Sequence, residues 1–376
     1  MWIAIALVAV IAAVWIAAPY VRTTAFLLDL AGRQDGVRRM IPVRPGLVTP
    51  HELQIPTRHG VVPAREYRSS NATRTVVVFP GIHAGGVDEP RLVMLATRLA
   101  GGGQTVITVP LPDLRRFRIT AESTDVIEDA TLWVARNALL APEGKVGVIG
   151  VSFSGGLAIA AAGRPALAEV VDMVVSLGGH ADLPRVMTYL CTGRLPDGTA
   201  RAPHDYGVAI VLLHTLPFVV PAEAVEASAT ALVTFLTASS EAATDMPHAM
   251  ALLEQARAQA SALPEGARPL VSLAIERNVA VLGPLLLPYV EQVGGLVALS
   301  PGRSPVTRAP VFLLHGAGDN VIPSAETPAL REYLVRHGNP HVSMLLTPLI
   351  SHADLTPSGS WRDRWALVRF WTRAMK

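Results

Sequence analysis

The sequence predicts an α/β fold: a mostly parallel, doubly wound sheet with an inserted helical cap, preceded by one N-terminal transmembrane helix. Three observations support this prediction. Short apolar runs rich in β-branched residues alternate with segments of helical spacing in two stretches, 51–182 and 309–376. Residues 183–308 interrupt that alternation with apolar segments of helical character that contain prolines. Residues 1–22 are apolar, and no charged side chain precedes Arg22.

The N-terminal segment MWIAIALVAVIAAVWIAAPYVR is long enough to cross a bilayer. About 17 to 20 apolar residues, rising ~1.5 Å each in a helix, reach roughly 26–30 Å, the thickness of the hydrocarbon layer. Trp2, Trp15 and Tyr20 lie near its ends, where aromatic rings favour the membrane interface. We therefore expect residues 1–22 to be an uncleaved membrane anchor. A cleaved secretory signal and a helix packed into a soluble body are the alternatives.

The basic residues around this segment predict its orientation. No Lys or Arg precedes the segment, whereas five arginines follow it: Arg22, Arg33, Arg38, Arg39 and Arg44. Positive residues concentrate on the cytoplasmic side of a spanning helix, so we expect the rest of the chain in the cytoplasm. Residues 23–50, which contain Pro and Arg, are predicted to connect the anchor to the folded body.

The first stretch of alternation, 51–182, begins with a predicted hairpin. The segment HELQIPTRHGVVPAREYRS alternates apolar and polar residues on both sides of a Gly-containing break. Buried strands are predicted at 74–80, 104–110, 145–152 and 170–178, and helices at 89–100, 123–139 and 155–163. Because strands and helices alternate, the strands are expected to be mostly parallel, with helices on both faces.

The same alternation of strands and helices resumes in the second stretch, 309–376, after the predicted cap at 183–308. It contains strands at 309–316 and 341–349 and a closing helix from Trp361 to Met375. The two most apolar parts of the predicted cap do not have the pattern of spanning helices. They are interrupted by His214, Pro217, Pro221, Pro284 and Pro288. The cap is therefore expected to cover one edge of the sheet.

Composition excludes several function classes. The formal net charge of +2 is too small for a nucleic-acid partner, and the arginines are scattered rather than concentrated on one face. The single cysteine, Cys191, excludes an intramolecular disulfide and a cysteine-based metal cluster. No Walker-type loop follows a strand, and neither does G-x-G-x-x-G, so we expect neither a nucleotide nor any other cofactor, and no metal.

The segment Gly150-Val151-Ser152-Phe153-Ser154 has the pattern of a nucleophile at a sharp turn between a strand and a helix. Such a turn needs small residues two positions on either side of the nucleophile, because larger side chains would collide. Ser152 satisfies this rule and follows the end of the apolar strand directly. Ser154 also has small neighbours at the required spacing, so it is the alternative nucleophile.

With this motif the chain resembles the α/β-hydrolase superfamily, specifically a membrane-anchored member similar to serine esterases and lipases. The resemblance covers residues 51–182 and 305–376, and it implies the chain order serine, acid, histidine. VFLLHGAGDNVIP is similar to the family's acid loop and implies Asp319 as the acid. LLTPLISHADL is similar to its histidine loop and implies His352. Asp182, after the preceding strand, is the alternative acid.

The resemblance also implies an oxyanion hole made of two backbone N–H groups. One belongs to Phe153, the residue after the nucleophile, and the other to Ile82 in the loop VVVFPGIHAGG. Pro80 stands where the family commonly has His, but it leaves the amides that follow free. His83 in the same loop is a candidate for lining the pocket, and an exposed loop histidine is the plainer interpretation.

Together these residues predict hydrolysis of a carboxylic ester through an acyl-enzyme on Ser152. The apolar cap and the anchor favour a hydrophobic or amphiphilic acyl substrate, a small molecule, with the bilayer as the other partner. An acyltransferase, a thioesterase or an amidase would use the same residues, because fold does not determine substrate. The alternative outside the enzymes is a membrane-tethered interaction protein without catalytic activity. The sequence leaves the oligomeric state open.

Overall fold

The structure is a computed structural model that describes residues 2–32, 36–41, 48–69, 72–352 and 359–375, and for residues 2–14, 36 and 37 it describes the backbone only. The predicted anchor at 1–22 and connector at 23–50 therefore lie partly outside the described residues. Ordered secondary structure runs through both predicted stretches of alternation and through the segment between them.

Eight strands form one sheet. They are β1 (Val48–Thr57), β2 (Gly60–Ser69), β3 (Arg74–Phe79), β4 (Gln104–Thr108), β5 (Val146–Val151), β6 (Val171–Leu177), β7 (Val311–Gly316) and β8 (Val342–Thr347). Their order across the sheet is β1-β2-β4-β3-β5-β6-β7-β8. The hairpin partners β1 and β2 are antiparallel, as are β2 and β4, and every other neighbouring pair is parallel. This confirms the predicted mostly parallel sheet.

Fifteen α-helices are found in the described part of the chain. Those outside the segment between β6 and β7 are α1 (Trp2–Leu30), α2 (Gly36–Arg39), α3 (Pro90–Gly101), α4 (Pro112–Arg115), α5 (Ala121–Arg136), α6 (Phe153–Ala162), α14 (Glu326–Arg336) and α15 (Trp361–Ala374). Between β6 and β7 lie α7 (Leu183–Thr192), α8 (Gly207–Val219), α9 (Val225–Glu241), α10 (Met246–Ser261), α11 (Arg268–Ile275), α12 (Val279–Leu286) and α13 (Val290–Gly294). We call these seven helices and their connections the helical insertion.

Two apolar clusters cover the two faces of the sheet. On one face α5, α6 and α14 pack with the helical insertion, for example through Ile127, Leu157 and Leu232. On the other face α3 and α15 pack against the strands, and α1 packs on top of both helices. All ten residues of α6 are buried, because its glycines and alanines let the helix lie close to the sheet.

The C-terminal part of α1 is docked on α15. Tyr20 stacks on Trp365, with ring centroids 5.4 Å apart, and Phe26 meets the edge of Trp371 at the same distance. The Thr372 hydroxyl donates a buried hydrogen bond of 3.0 Å to Thr23. These contacts fix residues 20–30 on the folded body.

Among the described residues, no helix combines the length and the apolar character that a bilayer crossing requires. The side chains of residues 2–14, which make up most of the predicted anchor, lie outside the described part. The membrane anchor therefore stays a prediction.

Candidate active site

Ser152 lies at the apex of the turn between β5 and α6. Its φ of 57° and ψ of −131° are rare for a residue with a side chain, and hydrogen bonds hold this strained backbone. The Ser152 N–H donates to the Leu177 carbonyl at 2.7 Å, and its carbonyl accepts from the Gly155 N–H at 2.8 Å. At Gly150 a Cβ would lie 2.3 Å from the Ser154 carbonyl oxygen, so the turn requires glycine there.

Ser152, His352 and Asp319 form a continuous hydrogen-bonded chain. The Ser152 Oγ is 3.0 Å from Nε2 of His352, and Nδ1 of His352 is 2.7 Å from Oδ2 of Asp319. A carboxylate only accepts hydrogen bonds, so Nδ1 carries the proton and Nε2 accepts the proton of the serine hydroxyl. The parallel register brings the three residues together, because each follows the carboxyl end of a strand.

Asp319 is buried and held in its ionised form. Burial alone would raise the pKa of its carboxyl, but hydrogen bonds from His315 and His352 outweigh burial and hold this pKa well below its usual range. The Val321 and Ile322 N–H groups also donate to Oδ1, at 2.8 and 3.0 Å. The carboxylate is therefore negatively charged throughout the neutral range.

His315 is a second imidazole on the same carboxylate. Its Nε2 lies 3.2 Å from Oδ2 of Asp319 and 2.9 Å from the Ile322 carbonyl oxygen. Both partners accept, so Nε2 carries a proton and donates, while Nδ1 accepts from the Thr327 hydroxyl at 2.6 Å. The sequence analysis missed this role, although His315 precedes the acid by four positions within the motif itself.

The alternative residues have other partners. Ser154 is fully buried, its Oγ accepts the Val151 N–H at 2.8 Å, and it lies 2.9 Å from the Phe79 and Val151 carbonyl oxygens. Asp182 caps α7 by accepting from the Arg185 N–H at 3.0 Å, and it pairs with Arg303 at 2.5 Å. The structure therefore keeps Ser154 and Asp182 out of the chain formed by Ser152, His352 and Asp319.

The loop after β3 lies against Ser152. A Cβ at Gly81 would be 3.0 Å from the Cβ of Ser152, so Gly81 permits this close approach. Among the described residues, neither the Ile82 N–H nor the Phe153 N–H has a hydrogen-bond partner. Phe153 is the first residue of α6, where N–H groups lack a partner within the helix. Both amides are thus available to an oxygen beside Ser152.

A cavity of about 650 Å³ opens at Ser152 and His352. This volume is within the usual range for small-molecule sites, roughly 300–1,000 Å³. His83 lines the cavity, and its Nδ1 accepts the Gly85 N–H at 3.0 Å. Burial lowers the pKa of His83, so this imidazole is neutral at neutral pH.

Several lining residues have no signal in the sequence. His204 and Tyr206, whose rings are 4.1 Å apart, enter from the helical insertion, as do Ser239 and Ser240 of α9. Leu27 and Leu30 of α1 form part of the wall, within the segment predicted as a connector. These residues reach the site only through tertiary packing, which no local pattern reports. Among the described residues no group of three or more His, Cys, Asp or Glu side chains is arranged to hold a metal.

Comparison with known proteins gives distant structural similarity. No protein-family model matches the sequence, and no curated protein matches it. The structure resembles a hyperthermophilic esterase from the archaeon Pyrobaculum calidifontis at 16% identity, with a TM-score of 0.48 over 95% of this chain and 88% of that one. It also resembles an esterase from Pyrococcus furiosus at 13% identity, with a TM-score of 0.45 over 87% and 90%.

A third similar structure is an acylaminoacyl peptidase from Pyrococcus horikoshii, at 12% identity and a TM-score of 0.44. The match covers 87% of this chain and 41% of the peptidase. The chain therefore spans about two fifths of the length of the acylaminoacyl peptidases that it matches.

Proposed function

We propose that this protein is a serine hydrolase that cleaves a carboxylic ester through an acyl-enzyme on Ser152. One observation carries the proposal: Ser152 Oγ is 3.0 Å from His352, and His352 is 2.7 Å from the buried Asp319 carboxylate. A serine hydroxyl is a weak nucleophile until an adjacent base accepts its proton. A neutral imidazole at hydrogen-bonding distance is such a base.

In the acylation step, Ser152 Oγ attacks the ester carbonyl carbon while its proton moves to Nε2 of His352. The carbonyl oxygen becomes an oxyanion, which accepts hydrogen bonds from the Ile82 and Phe153 amides. The tetrahedral intermediate then collapses, the ester C–O bond breaks, and His352 gives its proton to the departing alcohol. Asp319 keeps His352 in the required tautomer and stabilises the imidazolium.

Deacylation repeats these steps with water. His352 takes a proton from a water molecule, which attacks the acyl carbonyl, and the same two amides hold the oxyanion. When the second intermediate collapses, Ser152 Oγ leaves and recovers its proton from His352, which releases the carboxylic acid. The low pKa of Asp319 keeps the carboxylate charged while the imidazolium forms.

The location proposed for this reaction is the cytoplasmic face of a membrane. The apolar residues 1–22 and the arginines that follow them support a single N-terminal anchor. A bilayer tether would concentrate apolar esters near the cavity. Protease protection of a tag at residue 376, in sealed vesicles from the expressing cells, tests the orientation.

The reaction is tested with full-length protein purified in detergent and p-nitrophenyl acetate as the substrate. The Ser152→Ala variant should lose several orders of magnitude in kcat, because it lacks the nucleophile. A fluorophosphonate probe should label the wild type and not Ser152→Ala. Folded wild-type protein that neither hydrolyses the ester nor reacts with the probe would overturn the proposal in favour of a non-catalytic protein. Thioester and amide analogues, and an added alcohol as acceptor, separate the ester reaction from its alternatives.

A further inference from the structure

The cavity beside Ser152 has two parts of different chemistry. One part lies between α1, α3 and α15, on the face of the sheet that these helices cover. Six apolar side chains line it: Leu27, Leu30, Leu92, Leu95, Leu367 and Trp371. We call this part the apolar limb. Its walls belong to the apolar cluster on that face, so the limb is a gap within a hydrophobic core.

The other part lies between the loop after β3, the start of α3 and the helical insertion. Six polar side chains line it: His83, Glu89, Arg91, His204, Ser239 and Ser240. We call this part the polar limb. Glu89 and Arg91 form an ion pair of 2.5 Å at the N-terminus of α3, and the Glu89 side chain also accepts the Leu92 N–H. These six polar residues all lie outside the apolar cluster that forms the walls of the apolar limb.

The course of α3 separates the two limbs. The Glu89–Arg91 pair stands at its N-terminus, Leu92 follows in the same turn, and Leu95 lies about one turn further along the helix. The lining contributed by α3 therefore changes from charged to apolar within its first two turns. Ser152 and His352 line the same cavity at the carboxyl ends of the strands.

The wall contributed by α1 is firmly positioned. Phe26 and Thr23, on the same helix as Leu27 and Leu30, are 4% and 3% exposed and contact Trp371 and Thr372 of α15. Leu27 and Leu30 therefore hold a fixed position opposite Leu92 and Leu95. A fixed apolar wall favours an apolar ligand, because such a ligand removes apolar surface from water without a large ordering cost.

We propose that the acyl chain of the substrate occupies the apolar limb against α1, while the alcohol portion occupies the polar limb. This inference rests on the proposed function and specifies its substrate class: an ester of a long-chain fatty acid with a polar alcohol. The C-terminal part of α1 then determines acyl-chain specificity, in addition to leading toward the predicted anchor.

The first experiment compares two esters of opposite polarity on the full-length wild-type protein in detergent. Monododecanoyl glycerol has a long acyl chain and a polar alcohol, whereas dodecyl acetate has a short acyl chain and an apolar alcohol. We expect kcat/KM to be at least tenfold higher for monododecanoyl glycerol. Equal values, or a preference for dodecyl acetate, would overturn the assignment of the limbs.

The second experiment narrows the apolar limb with Leu27→Trp or, as a milder variant, Leu30→Phe. We expect kcat/KM for p-nitrophenyl dodecanoate to fall at least tenfold more than kcat/KM for p-nitrophenyl acetate. Leu28→Trp is the matched control: Leu28 is half-buried on the same helix and is absent from the described cavity lining, so its chain-length profile should match wild type.

The outcomes separate this inference from the proposed function. Retained acetate hydrolysis shows that Ser152 and its partners are intact, so an unchanged dodecanoate rate in Leu27→Trp and Leu30→Phe would overturn the limb assignment alone. Loss of dodecanoate hydrolysis in Ser240→Trp but not in Leu27→Trp would place the acyl chain in the polar limb and also overturn it. Absence of acetate hydrolysis in the wild type would instead overturn the proposed function.

Discussion

Ser152 and Ser154 are two residues apart and have opposite surroundings. Ser152 lines the cavity on a backbone with φ of 57°, a conformation that costs about 1–3 kcal/mol for a residue with a side chain. Ser154 is completely buried, and its hydroxyl contacts the backbone of Val151 and Phe79. The side chain of Ser154 therefore stabilises the turn that presents Ser152.

Substitution separates the reactivity of Ser152 from the contribution of Ser154 to the stability of the turn. Ser152→Ala and Ser152→Gly should both be inactive, and the glycine variant should be more stable than the alanine variant by about 1 kcal/mol, because glycine adopts positive φ without strain. Ser154→Ala should unfold more easily than wild type by about 1–3 kcal/mol, since buried partners lose their hydrogen bonds, while retaining Ser152 reactivity. Urea unfolding and fluorophosphonate labelling measure the two properties. Labelling that persists in Ser152→Ala and disappears in Ser154→Ala would contradict the choice of nucleophile.

The low pKa of Asp319 predicts how acid affects the protein. A carboxyl whose pKa is lower in the folded than in the unfolded chain stabilises the fold above its unfolded value, about 3.9, and this stabilisation is lost as pH falls through the folded pKa. We expect the stability difference between wild type and Asp319→Asn to be constant from pH 7 to 5 and to shrink below about pH 4. Asp319→Asn should also lower kcat about 10⁴-fold, because it disrupts the tautomer of His352.

His315 supplies the control for this prediction. His315→Leu removes a donor from Asp319, so the pKa of that carboxyl should rise toward its usual value, and the loss of stability below about pH 4 should be smaller and should end at a higher pH than in wild type. Unfolding in urea at a series of pH values measures this shift for all three proteins. The same acid dependence in wild type and His315→Leu would show that His315 does not act on Asp319.

At the scale of elements, His214 connects the helical insertion to the core. Its Nε2 accepts the Ile119 N–H at 2.8 Å, and Nδ1, on α8, donates to the Ile210 carbonyl at 2.8 Å. Burial lowers the pKa of this imidazole. An imidazolium cannot accept, so protonation would break the hydrogen bond to the loop that precedes α5.

Acid should therefore weaken this connection. Below the unfolded pKa, about 6.5, the unfolded chain binds a proton that the folded chain excludes, so stability falls by up to about 1.4 kcal/mol per pH unit for this histidine. His214→Gln keeps an acceptor and a donor but does not titrate, so its stability should decline less between pH 6.5 and 5. His51→Gln, on the exposed side of β1, is the control and should follow wild type. Equal slopes for all three proteins would show that His214 contributes no acid sensitivity.

The strands were predictable because their burial dictates their composition. Runs such as 74–79 and 146–151 are apolar and buried along nearly their whole length, which the sequence shows directly. The helices of the insertion were less predictable. Pro217 and Pro284 were expected to interrupt the two most apolar segments of the insertion, yet α8 and α12 continue past them. Each proline lies near the C-terminus of its helix, where it removes one hydrogen bond and few residues follow.

The sequence predicted some residues of the candidate site and not others. Ser152, Asp319 and His352 each follow a recognisable strand, so their convergence follows from a parallel sheet, and their catalytic roles stay predictions. Parts of the cavity wall come from the two ends of the described chain and from the helical insertion, and sequence spacing carries no information about such contacts. Leu27 and Leu30 are the clearest example, because nothing local distinguishes them from other leucines of α1.

At the scale of the whole molecule, α1 combines a predicted membrane role with an observed structural one. Deletion of residues 1–18 keeps Tyr20, Phe26 and the cavity wall, so this variant should fold and leave the membrane fraction. Deletion of residues 1–32 removes a helix whose Phe26 packs on Trp371, and we expect a loss of about 3 kcal/mol or more. Ultracentrifugation and urea unfolding measure the two effects. If the 1–18 deletion still sediments with membranes, the anchor prediction is wrong.

The hydrogen bond between Thr23 and Thr372 joins residues separated by 349 positions. During synthesis, α1 leaves the ribosome long before α15 and cannot dock until α15 has been made. Contacts of such long range slow folding, because the entropy of closing the loop is lost before the contact forms. A nascent chain can build the β5–α6 turn around Ser152 well before α1 and α15 meet. The apolar limb is therefore among the last of the described parts to form, so the acyl-chain selectivity that we propose would arise only after α15 has docked.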